Sequence, residues 1–254
     1  MSKSLSGKIA LVTGGSRGLG AATAAALADQ GADVAISYVA SADKAAAVVA
    51  RLKAKGVRAA AFKADQGDPA ASQPLIRQVV ETFGGLDILV NNAAIALQGK
   101  TIDAPDIDNA AMDRQWMVNT MGVVANIRAA AKVLPEGGRI ISVGSGLGTR
   151  MAFPGIADYA ASKAAIVGYS KGAARDLGAR NITVNIVQAG VMDTDMAASA
   201  IGSLDQLPPA FMQSHAIARV AELEEVAAAI VFLAGPTAGF ITGSVIDVNG
   251  GFTA

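Results

Sequence analysis

The 254-residue chain is 52% hydrophobic, 17% charged and only 4% aromatic, so its core volume has to come from Ala, Val, Ile and Leu, the composition of Ala-rich helices packed on a Val/Ile sheet. Lys plus Arg and Asp plus Glu both number 21, with no charged tail at either end, which excludes the basic footprint of a nucleic-acid binder. The absence of cysteine, with His215 the sole histidine, excludes disulfides, thiolate catalysis and a Cys/His metal centre.

No apolar run approaches the ~20 residues of a membrane span, and the polar start Met1-Ser2-Lys3-Ser4-Leu5 carries no secretion signal, so a cytoplasmic location is expected.

Strand-like and helix-like segments alternate along the chain. Residues 8–13 read as a strand that ends in glycines, and a helical pattern then runs to Gln30, stopped by Gly31. A second strand spans 33–37, a helix 43–55, a third strand 58–64 and a helix 69–83 that ends at Gly84-Gly85. Strand 86–90 precedes a long helix over about 108–133, and strand 139–143 leads through a glycine-rich loop to a helix over about 158–177. A sixth strand at 182–187 gives way to an irregular stretch, 191–219, before a helix from about Leu223 and a last strand at 244–248. Strands separated by helices build right-handed βαβ units, so the pattern predicts one domain over 1–254, a doubly wound, parallel, seven-stranded Rossmann-type α/β sheet.

The first strand runs straight into Thr13-Gly14-Gly15-Ser16-Arg17-Gly18-Leu19-Gly20 and then a helix. Glycines there allow unusual backbone angles and leave room for a ligand, and the helix N-terminus offers unpaired N–H groups to a pyrophosphate. The spacing differs from a GxxxxGK[ST] phosphate loop, so dinucleotide binding is favoured over ATP hydrolysis. NAD sites commonly place a carboxylate at the end of the second strand. Here that segment is Ser37-Tyr38-Val39-Ala40-Ser41, without one, while Arg17 sits inside the turn. Arg17 and Ser41 suit a 2′-phosphate, which points to NADP(H); the alternative is an Arg17 that faces solvent. Further on, Tyr159 and Lys163 stand four apart on one helix face, where an ammonium would lower the tyrosine pKa from its usual ~10 and ready it for proton transfer.

Taken together, the glycine turn, Asn91-Asn92-Ala93-Ala94, Met117-Val118-Asn119, the serine of Ile141-Ser142-Val143-Gly144-Ser145, the pair Tyr159 and Lys163, and Asn185-Ile186-Val187-Gln188-Ala189-Gly190 followed by Thr194 resemble the short-chain dehydrogenase/reductase family. The likeness covers essentially the whole chain. It implies that Tyr159 protonates a carbonyl oxygen, Ser145 stabilises that oxygen, Lys163 lowers the tyrosine pKa and holds the nicotinamide ribose, and Asn119 anchors a proton-relaying water. It further implies a cofactor site of Gly14, Ser16, Arg17, Gly18, Leu19, Gly20, Tyr38, Ser41, Asp65, Gln66, Asn92, Ala93, Gly190, Val191 and Thr194, with Tyr159 and Lys163. In it Asp65 meets the adenine, Asn92 and Ala93 the adenine-side ribose, and Val191 and Thr194 the nicotinamide amide. Asp65 could instead cap the next turn. His215 reads as a packing residue, and Arg150 as a solvated loop arginine.

Two departures from the family pattern stand out: Ala94 where Gly is usual, and Ala189 where Pro is usual, the latter expected to loosen the chain. A substrate lid is expected over about 192–215, with Met196, Ile201, Leu204, Leu207, Phe211 and Met212 joining Leu147, Met151 and Phe153 around an apolar pocket for a small-molecule ketone or secondary alcohol of moderate size. Two alternatives stay open. One is a 3-oxoacyl-carrier-protein reductase, against which Glu136 would repel an acidic carrier. The other is a cyclic-dinucleotide-binding regulator, suggested by Arg150-Met151-Ala152-Phe153-Pro154-Gly155. The resemblance also implies a homotetramer, with no nucleic acid or membrane partner.

Overall fold

The computed structural model describes residues 3–201 and 209–254. Seven strands form one parallel sheet in the order β3-β2-β1-β4-β5-β6-β7. They are β1 (Ile9–Val12), β2 (Asp33–Tyr38), β3 (Ala59–Lys63), β4 (Ile88–Asn91), β5 (Arg139–Ser145), β6 (Thr183–Ala189) and β7 (Val245–Val248). The helices are α1 (Gly18–Asp29), α2 (Ala42–Ala54), α3 (Ser72–Phe83), α4 (Asn109–Trp116), α5 (Gly122–Ala131), α6 (Ala157–Leu177), α7 (Asp195–Ile201), α8 (Pro209–Gln213) and α9 (Leu223–Ala234).

The alternation of side chains along each strand feeds two cores. Ala10, Val12, Val34 and Ile36 face one side, packed with Ala24, Leu27 and Ala28 of α1 and Val226, Ile230 and Leu233 of α9. Leu11, Ala35 and Leu89 face the other, against Leu75 and Val79 of α3, Val123 and Ile127 of α5 and Ile166 of α6. Small residues on α1 and α9 let these helices lie close to the strands, which is how a chain poor in aromatics fills its interior. α9 starts at a capping box in which Glu222 and Glu225 each accept from the other's backbone N–H. α3 stops at Gly84, whose φ of 91° is open to glycine.

Several boundaries differ from the sequence reading; β4, expected over 86–90, runs from Ile88 to Asn91. β5 and β6 run two residues further than their apolar runs, because Gly144 and Ser145 stay in register with Gln188 and Ala189 between two neighbouring strands. The long helix over 108–133 contains a π turn at Met117–Met121, which re-aims the residues after it. The irregular stretch 191–219 holds two short helices, α7 and α8. Of the expected lid residues, Leu204 and Leu207 lie outside the described residues, as does the side chain of Ile201.

Order reversal at β1 and β4 opens a crevice beyond the carboxyl ends of the strands. A cavity of about 490 Å³ sits there.

Candidate active site

The cavity begins at the glycine turn. Gly14 has φ 65°, and a Cβ on it would lie 2.9 Å from the Ala93 Cα; a Cβ on Gly20 would meet the Asn92 amide nitrogen at 2.6 Å. These two glycines therefore let the turn pack closely against the end of β4, and both also line the cavity. Gly18 lines the cavity as well, with the Thr194 methyl across from it. At the start of α1, Arg17 makes no side-chain cap and the first turn carries no acid. The first-turn amides and the positive end of the helix dipole consequently face the cavity without a side-chain partner, a donor set matched to a pyrophosphate. Tyr38 and Ser41 line the same end. Ser41 precedes α2 without capping it, which leaves its hydroxyl available.

Several residues expected to hold a cofactor spend their side chains on the protein instead. Asn92 donates from Nδ2 to the Thr13 and Gly14 carbonyls at 2.8 and 3.3 Å. Gln66 donates to the Ala93 and Val118 carbonyls at 2.6 and 2.9 Å and accepts from buried Asn126 at 3.2 Å. Asp65 accepts from the Gly67 amide at 2.9 Å and from Arg114 at 2.6 and 2.7 Å. Partial burial pushes the Asp65 carboxyl up, but the Arg114 guanidinium and the Gly67 amide outweigh it and hold the group below its ordinary value. Thr194 accepts from the Ala197 amide at 3.1 Å and so caps α7, while its position keeps it on the cavity wall. All of these residues still border the cavity.

At the other end Ser145, Tyr159 and Lys163 converge. Ser145 is the last residue of β5, and its Oγ accepts from the Leu147 amide at 3.2 Å, which leaves the hydroxyl proton to give. Tyr159 and Lys163 lie one turn apart on α6, both buried and both lining the cavity. The Lys163 Nζ donates to the Val143 carbonyl at 3.0 Å. Burial pushes its ammonium down to about 8. Burial also raises the Tyr159 phenol, against a lowering influence from Ser145. Desolvation is the larger influence on the phenol, and Ser145 supplies an opposing pull.

Asn119 departs from expectation too. Its amide accepts from the Ile95 N–H at 2.9 Å and donates to the Ile95 carbonyl at 2.9 Å and to Ser162 at 3.2 Å. The side chain therefore fastens the loop after β4, and Asn119 does not line the cavity. The usual Pro position, Ala189, is a strand residue opposite Ser145 and Val248, so the chain there is held on both sides rather than loosened. Ala94 lies on the cavity wall.

Sequence reading missed three contributors. Thr13 Oγ1 accepts from the Asn92 and Ala93 amides, both at 3.0 Å, and so ties the glycine turn to β4. Gln115 accepts from the Leu97 amide at 2.6 Å and holds the cavity wall. Arg114 pairs with a residue 49 positions away, for which no local pattern exists. Thr13 alone carried a signal, since it opens the glycine motif.

The apolar end of the cavity includes Ile95, Leu147, Phe153, Met192, Met196, Phe211, His215 and Phe252. His215 is buried, stacked on Phe252 at 4.9 Å between centroids, edge-on to Phe211 at 5.0 Å, with Nδ1 3.0 Å from the Phe211 carbonyl. Arg150 is not a free loop arginine: it donates to the Phe252 carbonyl at 2.7 Å and lies 5.0 Å over that ring.

Residues 14–253 match the family model described as Enoyl-(Acyl carrier protein) reductase. The chain is 47% identical to a short-chain dehydrogenase from Burkholderia cenocepacia crystallised with NADP, at a TM-score of 0.93 over 99% of this chain and 100% of that one. It is 40% identical to the cyclic-di-GMP-binding biofilm dispersal mediator protein of Escherichia coli, over 98% of both chains. It is 39% identical to a 3-oxoacyl-[acyl-carrier-protein] reductase of Staphylococcus aureus, over 96% of this chain and 97% of the relative. With the fold, the glycine turn and the Ser145, Tyr159 and Lys163 group in one cavity, the chain belongs to the short-chain dehydrogenase/reductase family.

Proposed function

We propose that this protein is an NADP(H)-dependent oxidoreductase that interconverts a ketone and a secondary alcohol of moderate size. The observation that carries the reading is one continuous cavity: α1 amides, Arg17, Tyr38 and Ser41 at one end, buried Ser145, Tyr159 and Lys163 at the other. The anion-binding end fits a phosphorylated dinucleotide and the apolar end an uncharged carbonyl compound. Bound reduced nicotinamide supplies a hydride to the carbonyl carbon.

The chain's own groups do the rest. Ser145 donates to the carbonyl oxygen and so stabilises the charge that builds on it. Tyr159 gives that oxygen its proton. Lys163 has further N–H groups beyond the one on Val143, and a ribose hydroxyl is the natural acceptor. An alkoxide forming beside a buried ammonium and phenol favours proton release from the tyrosine, which is why a phenol raised by burial still transfers. The Asn119 amide keeps the loop around Ile95 in place, so its part is positioning. NADPH oxidation followed at 340 nm with a panel of ketones tests the reading; no turnover on any ketone, with either NADPH or NADH, would refute it.

The S. aureus relative supports a 3-oxoacyl-carrier-protein substrate as a narrower version of the same chemistry. Glu136, exposed and accepting from Asn181 at 2.8 Å, leaves a negative charge that opposes an acidic carrier. The E. coli relative favours a second reading, cyclic-di-GMP binding, tested by calorimetric titration of that dinucleotide. Against it, the Arg150 guanidinium is engaged by the Phe252 carbonyl and ring rather than offered to a phosphate.

A homotetramer is the assembly that edge strand β7 and the fully exposed Phe240, with half-exposed Phe232, would serve by burial. Light scattering that returns the monomer mass, 25.4 kDa, at micromolar concentration would exclude it.

A further inference from the structure

The first residue of α7 occupies a place that an anionic ligand would want. A single oxygen of Asp195, Oδ2, accepts from Arg17 Nη1 at 2.9 Å and from Lys44 Nζ at 3.4 Å. The three side chains come from the glycine turn, from the first turn of α2 and from the lid, 178 and 151 residues apart in sequence. Asp195 and Arg17 line the same stretch of cavity as Tyr38, Val39, Ala40 and Ser41. Next to them the Ser41 hydroxyl is uncommitted by α2. Two cations drawn to one carboxylate oxygen, beside a free hydroxyl and a helix start, make up the donor set of a phosphate monoester. Both cations hold the Asp195 carboxyl below its ordinary value, so it stays an anion throughout the working pH range.

We propose that Asp195 is a specificity-determining residue that competes with the cofactor's 2′-phosphate for Arg17 and Lys44, and that Lys44 is a second cation for that phosphate. This inference rests on the NADP(H) reading above and adds a penalty to it. To seat the dianionic phosphate, Arg17 and Lys44 must give up the Asp195 carboxylate, and the carboxylate must turn away from the incoming charge. A cofactor with a plain 2′-hydroxyl leaves the Asp195 contacts in place and escapes the penalty. The residue thereby trims the preference for the phosphorylated dinucleotide.

Asp195 also follows Thr194, whose hydroxyl caps α7 and whose methyl faces Gly18. Release of the carboxylate is therefore felt by the lid's attachment to the glycine turn. The pairs are solvent-exposed, with side-chain exposures of 58% for Arg17 and Lys44 and 56% for Asp195. Exposed pairs of this kind change an equilibrium by about two- to five-fold, and salt weakens them further.

The test is calorimetric titration of NADP⁺, NAD⁺, adenosine 2′,5′-bisphosphate and adenosine 5′-monophosphate into the wild-type protein, Asp195→Asn and Lys44→Ala. Asp195→Asn keeps the size of the side chain and loses its charge. It is expected to bind NADP⁺ and the bisphosphate about two- to five-fold more tightly at low salt, NAD⁺ and the monophosphate unchanged, and to lose most of the gain at 0.5 M NaCl. Lys44→Ala is expected to weaken the 2′-phosphorylated pair alone. Equal tightening of all four ligands by Asp195→Asn would overturn the proposal, because the residue would then act on the shared phosphates. Unchanged or weakened NADP⁺ binding would overturn it as well. Tighter NADP⁺ binding in Lys44→Ala would show that Lys44 serves only Asp195 and would refute its role. If the wild-type protein instead binds NAD⁺ at least as well as NADP⁺, the cofactor reading itself fails, a result distinct from an unchanged ratio between variants.

Discussion

Lys163 should cost the protein stability at neutral pH, and the cost can be read from its surroundings. Burial lowers its pKa from the ordinary 10.5 to about 8. Below pH 8 the lysine is charged in the folded and unfolded chain alike, and the folded chain bears the whole desolvation penalty. Between the two values the unfolded chain holds a proton that the folded chain has released, so stability rises with pH across that window. At ~1.4 kcal/mol per unit the full penalty is about 3 kcal/mol at pH 7. Lys163→Met retains an unbranched stem and removes the charge. It also removes the bond to the Val143 carbonyl, worth about 1 kcal/mol, so the net gain is about 2 kcal/mol. For a chain of this length that corresponds to a melting temperature about 4–8 °C higher. Thermal melts of cofactor-free wild type and Lys163→Met at pH 7 and pH 10 measure it. The advantage should be present at pH 7 and close to zero at pH 10, while turnover is lost at both. A variant that melts below wild type at pH 7, or a difference that does not change with pH, would refute the reasoning.

Tyr159→Phe should fold and bind NADPH much as wild type does, because the ring still packs, yet lose ~10²–10⁴ in turnover of a good ketone by steady-state assay. In alcohol oxidation the wild-type rate should rise with pH as the phenol gives up its proton, and the residual rate of Tyr159→Phe should lack that rise. Ser145→Ala removes the donor to the carbonyl oxygen and should cost ~10²–10³ in kcat. Arg17→Ala should erode the preference for NADPH over NADH mainly through KM, since the contact is remote from the reacting atoms; equal use of both by the wild type would contradict it.

The elements were legible because this sheet is buried on both faces. A strand such as β1, Ile9–Val12, is then a plain apolar run, and glycines such as Gly31, Gly56 and Gly84 mark where helices stop. The limits of that signal are equally physical. Gly144, Ser145 and Gln188 are not apolar, so the apolar runs stop short of the ends of β5 and β6, although pairing in the middle of a sheet carries residues of any polarity. The π turn around Asn119 leaves the helical pattern on either side intact and has no composition of its own. Short helices α7 and α8 lack the two full turns over which a period can be recognised.

The site was legible as a set of residues and less so as a set of duties. A motif preserves a residue without saying whether its hydrogen bonds go to a ligand or to the protein. Asn92, Gln66, Asp65 and Asn119 look like ligand-binding residues in sequence, and the side chain of each is hydrogen-bonded to backbone or side chains of the chain. Those bonds run between the glycine turn, the end of β4, the loop around Ile95 and the helices α4 and α5. They fix the rim of a cavity that would otherwise be lined by loops free to shift.

Ser145, Ser41 and the first-turn amides of α1 show the opposite economy. Ser41 and the α1 amides keep donors without a side-chain acceptor, the Ser145 hydroxyl is shared only with the Tyr159 phenol, and all of them face the cavity. A buried donor left open costs free energy in the empty fold, and the cost is recovered only when a group of complementary charge arrives. The division between consumed and open groups therefore locates the chemistry more sharply than the motifs do. On the NADP(H) reading proposed above, pyrophosphate recognition would fall to the backbone of α1 and oxyanion stabilisation to Ser145, next to the Tyr159 phenol. Asn92→Ala tests the division directly. It removes no atom from the reaction but frees the Thr13 and Gly14 carbonyls, so the glycine turn should lose its hold on β4. Dinucleotide affinity should fall, and with saturating cofactor kcat should stay within a few-fold of wild type. A loss of kcat comparable to that of Tyr159→Phe, with affinity unchanged, would move Asn92 from the rim to the reaction.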